Sequence, residues 1–149
     1  MLESRQPRTQ ALGLQASRRL GLLFMAGNQL PILGLAEQDI LRQGARAAQE
    51  PDALRRFLEL RRRQSAPRAE TIARLAVVAF TDPNDLLSYR LLPARYAAPD
   101  VAVADVLVSN AHTWLGLIEN PMPAHLNYLA NPDVGDMIAC GFPRFAGCR

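Results

Sequence analysis

The sequence contains no lysine: all 17 of its Lys and Arg residues are arginine. Alanine is abundant alongside them, which points to coding bias in a GC-rich genome. The arginines therefore read as solvated faces and helix ion pairs rather than as a nucleic-acid surface, and no nucleic-acid partner is expected. Cysteine is scarce. Cys140 and Cys148 are too few for a disulfide framework and read as two unrelated thiols. No further Cys or clustered His completes a zinc site, and no cofactor is expected. The compartment stays open, with the cytoplasm as the default setting. No apolar run reaches the ~18 residues that a membrane span needs, so no transmembrane segment is expected. The first five residues carry no signal-peptide hydrophobic region, which says little if the natural start lies upstream.

What is present suits a folded chain. Hydrophobic residues make up 49% of 149 residues, which argues against disorder and fits a single domain over 1–149. Residues 1–19 are polar, arginine-rich and weakly periodic, a poorly defined N-terminal segment. Residues 20–26 form a continuous apolar run ending at Gly27-Asn28, which reads as a strand buried on both faces. Asn28-Gln29-Leu30-Pro31 reads as a loop. A helix is expected over 37–48, with acids early and Arg42 and Arg46 late. A second begins near Pro51 and Asp52, with Leu54, Phe57 and Leu58 on one face. Asp52/Arg56, Arg55/Glu59 and Glu59/Arg63 stand at ion-pair spacing on the other. Residues 65–67 read as a linker.

Residues 72–80 give a second buried strand, closed by the turn formers Thr81-Asp82-Pro83-Asn84-Asp85. A helical turn is expected over 86–92. Residues 101–108 give a third strand, with Asp105 as a blemish, followed by a polar loop through Asn120-Pro121-Met122-Pro123. The last helix has Asn131 as N-cap, Pro132 first, Asp133 in the first turn and Gly141 at its stop. Strands alternating with helices predict an α/β domain with about three parallel neighbouring strands.

In open α/β sheets, sites form beyond the carboxyl ends of the strands. Asp82 and Asp85 follow the second strand. His112 and His125, the only histidines, follow the third. A carboxylate fixed by a strand end can accept the proton on one imidazole nitrogen and leave the other as a general base. Placement alone leaves four pairings open.

Residues 77–89, Val-Val-Ala-Phe-Thr-Asp-Pro-Asn-Asp-Leu-Leu-Ser-Tyr, resemble the acid-bearing strand and loop of α/β-hydrolase-fold serine esterases and lipases. Residues 125–134, His-Leu-Asn-Tyr-Leu-Ala-Asn-Pro-Asp-Val, resemble that family's histidine loop. Residues 20–33 resemble the strand and loop after the nucleophile's helix. The resemblance covers about 20–141. It implies Asp85 as triad acid and His125 as base, with Asp82 and His112 as alternates, and a small ester or lipid-like substrate. The chain order, acid before histidine, also agrees.

One departure from the family pattern is large. The five serines, Ser4, Ser17, Ser65, Ser88 and Ser109, include none in a Gly-x-Ser-x-Gly elbow. The resemblance therefore implies the C-terminal part of a longer hydrolase, without the nucleophile and inactive alone. The uncovered edge of 20–26 would then invite self-association. Two other readings stand beside it. One is a non-catalytic α/β domain in which Asp85 and His125 are structural. The other is an interaction module built on the arginine helix over 55–68, which needs its arginines on one exposed face.

Overall fold

A computed structural model describes residues 7–36, 51–63, 72–114, 120–141 and 147–148. Three apolar strands form one parallel sheet in the order β1 (Leu22–Ala26), β2 (Leu75–Thr81), β3 (Val101–Leu107). Register is continuous across it: Phe24 lies beside Val78, which lies beside Ala104. The predicted parallel α/β arrangement is therefore present. The expected helix over 37–48 and the linker over 65–67 lie outside the described residues. No helix among those described is long and apolar enough to cross a membrane.

Side chains of β2 alternate between two cores. Leu75, Val77 and Ala79 face one side with Leu54 and Leu58 of α3 (Ala53–Arg63) and with Leu91 and Tyr96. Phe80 faces the other with Tyr128, Val108 and Val134, and Phe24 stacks on it. Only the central strand is buried on both faces. The expectation that 20–26 would be so buried is corrected: β1 is an edge strand, and Leu22 is 46% exposed. An apolar run reports a strand but not what covers it.

The N-terminal segment expected to be poorly defined holds α1 (Pro7–Arg19). Gly13 and Ser17, spaced i,i+4, are buried. Small residues at buried positions add no hydrophobic periodicity to read. Arg61 on α3 explains how this helix is held. Arg61 is 3% exposed, and its guanidinium donates to the Ser17 carbonyl at 2.6 Å, the Leu20 carbonyl at 2.7 Å and the Ile72 carbonyl. The arginine helix thus turns one of its cations inward. Arg62 meets Asp100 at the surface.

Asp52 is the N-cap of α3 (Ala53–Arg63). Its Oδ1 accepts from the Arg55 amide at 2.9 Å, and its Oδ2 accepts from the Tyr96 hydroxyl at 2.7 Å, with Arg95 3.4 Å away. Tyr96 belongs to α4 (Pro93–Tyr96), so this contact ties α4 to the start of α3. Burial, then Asp52, push the Tyr96 phenol up from 10.0 to about 12. A phenol whose folded value is raised contributes stability that is complete below the unfolded value near 10. That contribution declines above it and is gone beyond about 12. Its size is on the order of 2 kcal/mol. In urea unfolding, wild type should therefore lose stability relative to Tyr96→Phe as pH rises from about 9 to about 12. A difference that does not change over this range would refute the linkage.

Three local expectations change. A short α2 (Leu30–Ala36) follows β1, with Pro31 in its first turn, where a missing N–H costs nothing. Turns replace the expected helix over 86–92, because Asp85 Oδ1 accepts from the Leu87 amide and Asp105 Oδ1 from the Leu91 amide. Asp105 is thus no blemish: it also accepts from Thr81 Oγ1 at 2.8 Å and pairs with Arg90. The two cysteines are not separate thiols. Gly141, at φ 77°, ends α6 (Pro132–Cys140), and Cys148 lies with its Cα 5.5 Å from that of Cys140, forming a disulfide.

Candidate acid–base site at the carboxyl edge of the sheet

The loops at the carboxyl ends of all three strands converge and are bonded together. From β1, Asn28 donates its Nδ2 to the Tyr89 carbonyl at 2.9 Å and accepts the Tyr89 amide at 2.8 Å. From β2, Asp82 turns its own loop, accepting the Asn84 amide. Its Oδ2 accepts the Asn110 amide beyond β3 at 2.7 Å. Asn110 in turn donates Nδ2 to the Ala124 carbonyl at 2.8 Å and accepts from Asn131 Nδ2 at 2.9 Å. One asparagine therefore links the acid loop, the histidine's helix and the cap of α6.

His125 stands on a short helix, α5 (Pro121–Leu126), where the sequence suggested only loop. Asn120 caps it, accepting from the Met122 amide at 3.0 Å, with Pro121 as first residue. The helix presents the imidazole to Asp85. His125 Nδ1 lies 2.9 Å from Asp85 Oδ2 and 3.0 Å from Oδ1. The carboxylate is wholly buried, while the histidine side chain is 24% exposed. An ionised carboxylate can only accept, so the proton of the neutral ring belongs on Nδ1 and the lone pair on Nε2. Among the described residues nothing hydrogen-bonds Nε2.

Two further donors hold the carboxylate. The Leu87 amide binds Oδ1 at 2.9 Å and the Tyr128 hydroxyl binds Oδ2 at 3.1 Å. Tyr128 begins the 3₁₀ turn Tyr128–Ala130 and is 3% exposed. Its oxygen also accepts the Asp82 amide at 2.9 Å. Burial pushes its phenol above the usual value, and Asp85 adds to that, so it remains a protonated donor at neutral pH. Gly27, at φ 60°, closes the site from the end of β1. A Cβ there would stand 3.3 Å from the Tyr128 ring, 3.7 Å from Asp85 Oδ2 and 3.8 Å from His125 Cε1. Both the left-handed backbone and the close approach require glycine.

The structure thus brings Asp85 and His125 together and leaves the two alternates apart from the pair. Asp82 is a buried loop-holding residue, and His112 is exposed. Of the serines nearby, Ser88 Oγ is buried beside the Tyr128 hydroxyl, and exposed Ser109 donates to the Ala111 carbonyl. Neither is flanked by the glycines of a nucleophile elbow. Sequence reasoning missed Tyr128, Asn110 and Gly27. The only local signal was a tyrosine three residues past the histidine, on the same helical side. No family model, no curated protein and no solved structure matches this chain.

Proposed function

We propose that this chain supplies the acid and base of a serine-hydrolase triad of the esterase or lipase type. The nucleophile and the oxyanion donors come from polypeptide outside these 149 residues. The observation that carries the reading is the buried Asp85 carboxylate on His125 Nδ1, beyond the carboxyl edge of a parallel sheet, with no hydrogen bond to Nε2 among the described residues. In that role Nε2 takes the proton of an attacking serine. Asp85 fixes the tautomer and stabilises the imidazolium, and His125 then returns the proton to the leaving alcohol. The order acid, then histidine, agrees with a hydrolase whose serine precedes both. Exposed Leu86 and Leu87 directly follow the acid, and exposed Met122, Leu126 and Leu129 surround the histidine in sequence. That apolar rim favours an ester with a hydrocarbon acyl group over a charged substrate.

Two assays test the reading. The purified 149-residue chain should hydrolyse p-nitrophenyl esters no faster than its His125→Ala and Asp85→Asn variants, since an acid–base pair acts only through a nucleophile. Loss of even one oxyanion donor costs roughly 10² to 10³ in turnover, and on this reading the donors lie on other polypeptide. In the intact product of the native locus, a fluorophosphonate probe should label a serine, and both substitutions should suppress the labelling. Hydrolysis by the purified chain that both substitutions abolish would put the nucleophile inside it, with Ser109 and Ser88 the first to test. Labelling indifferent to both substitutions, or none at all, would end the hydrolase reading.

A further inference from the structure

We propose that Tyr128 is the positioning residue of the pair. Its hydroxyl, oriented by the Asp82 amide, locks Asp85 in the plane that keeps the His125 proton on Nδ1. The proposal rests on the acid–base reading above and adds a residue to it.

The direction of the hydroxyl follows from its neighbours. The Asp82 N–H can only donate, so it takes a lone pair of the Tyr128 oxygen at 2.9 Å. The phenol proton is then left for Asp85 Oδ2 at 3.1 Å, which can only accept. The two oxygens of Asp85 consequently have different anchors. Oδ1 is held by the Leu87 amide, inside the acid's own loop. Oδ2 is held from the histidine's side of the fold. A carboxylate with one anchor can turn about its Cβ–Cγ bond, because that torsion is broad. Anchors on both oxygens fix the plane, and this plane points both oxygens at Nδ1.

The ring that carries the hydroxyl cannot easily yield. It packs with Phe80, Val108 and Val134, and Gly27 closes on its edge. Tyr128 also follows His125 by three residues, so base and anchor approach Asp85 from one side of the same short segment. The raised phenol keeps its proton across the range in which a histidine base works. Asp82, an alternate acid by sequence, thus contributes its backbone amide rather than its carboxylate.

The test compares the purified chain with Tyr128→Phe, Asp85→Asn and p-aminophenylalanine at position 128. The ring nitrogens of ¹⁵N-labelled His125 report the tautomer, and carbethoxylation by diethyl pyrocarbonate reports the Nε2 lone pair, with exposed His112 as internal reference. In Tyr128→Phe the Nδ1–H tautomer should lose ground and the His125 rate should fall roughly 3- to 10-fold relative to His112. The p-amino group, again a donor, should restore both. A merely structural tyrosine would lower the melting temperature and leave the tautomer untouched. An unchanged tautomer in folded Tyr128→Phe, or a faster His125, would overturn the proposal. Should Tyr128→Phe not fold, 4-fluorophenylalanine at position 128 carries the same comparison, since fluorine fills the hydroxyl's place and has no proton for Asp85. If Asp85→Asn also leaves the His125 ring unchanged, the acid–base reading fails and not only its positioning residue.

Discussion

Replacing Asp85 with asparagine should reverse the polarity of His125. The wild-type carboxylate accepts the Nδ1 proton, at 2.9 Å from Oδ2. Asparagine keeps the shape but brings an NH₂ that can donate to Nδ1, which would move the ring proton to Nε2. An Nε2 that carries a proton has no lone pair and is neither base nor nucleophile. We expect carbethoxylation of His125 to fall roughly 10- to 100-fold relative to His112 at pH about 8, with circular dichroism unchanged. The comparison is internal, because His125 and His112 are the only histidines. His112, exposed and away from the pair, should react equally in both proteins.

The expected size follows from what holds the carboxylate. Asp85 is wholly buried, so water does not compete for its oxygens. Leu87 N–H, Tyr128 O–H and His125 Nδ1–H all point at it. In the variant the Leu87 amide still favours an oxygen at Oδ1, which steers the NH₂ to the Oδ2 position, between Tyr128 and His125. Tyr128 must then turn its proton away or face a donor. The flipped arrangement is thereby specified rather than averaged. A His125 rate within about two-fold of wild type would mean that the pairing does not govern the tautomer.

How far the sequence reveals this site depends on the kind of interaction that builds it. Residues 75–80 stand out as a strand because β2 is buried on both faces. Asn131-Pro132-Asp133 announces α6 because capping is a local interaction, and the Asn131 side chain accepts the Asp133 amide as expected. Asp85 and His125 are legible as candidates since chemistry-bearing residues after strand ends are few in this chain. Placement after the strand does not choose Asp85 over Asp82; only the resemblance of residues 77–89 favours Asp85. Both follow the same strand, and the choice is made by a tyrosine 43 positions on and an asparagine 28 positions on. Long-range polar contacts have no periodicity. The same holds for α1, which buries Gly13 and Ser17, and for Arg61, since a charged residue is ordinarily assigned to the surface. The edge position of β1 escaped for a related reason: an apolar strand has the same sequence whether or not a neighbour covers it.

Arg61 is where the fold itself should be most sensitive. Its guanidinium gathers carbonyls from three segments: Ser17 in the last turn of α1, Leu20 just before β1, and Ile72 ahead of β2. The cation meets the negative end of the α1 dipole, and each bond is charge-assisted. Arg61→Met keeps the apolar stem and removes every donor, leaving those carbonyls without their charged partner at a buried to part-buried site. The expected loss is about 3–5 kcal/mol. Lysine should recover only part of it, since one ammonium on a flexible stem does not reproduce the planar fork. Arg62→Ala, two-fifths exposed and paired with Asp100 at the surface, should cost no more than ~1 kcal/mol. Urea midpoints of the three variants against wild type make the comparison, and an Arg61→Met loss no larger than that of Arg62→Ala would refute it. Arg61 also sits at the amino ends of β1 and β2, whereas Asp85 and His125 lie beyond the carboxyl ends. The folded fraction of Arg61→Met should therefore keep the wild-type His125 tautomer, while Asp85→Asn changes the tautomer and leaves the fold. Damage at one end of the sheet that did not spare the other would show that the site's geometry depends on the clamp, and the two ends would have to be treated as one unit.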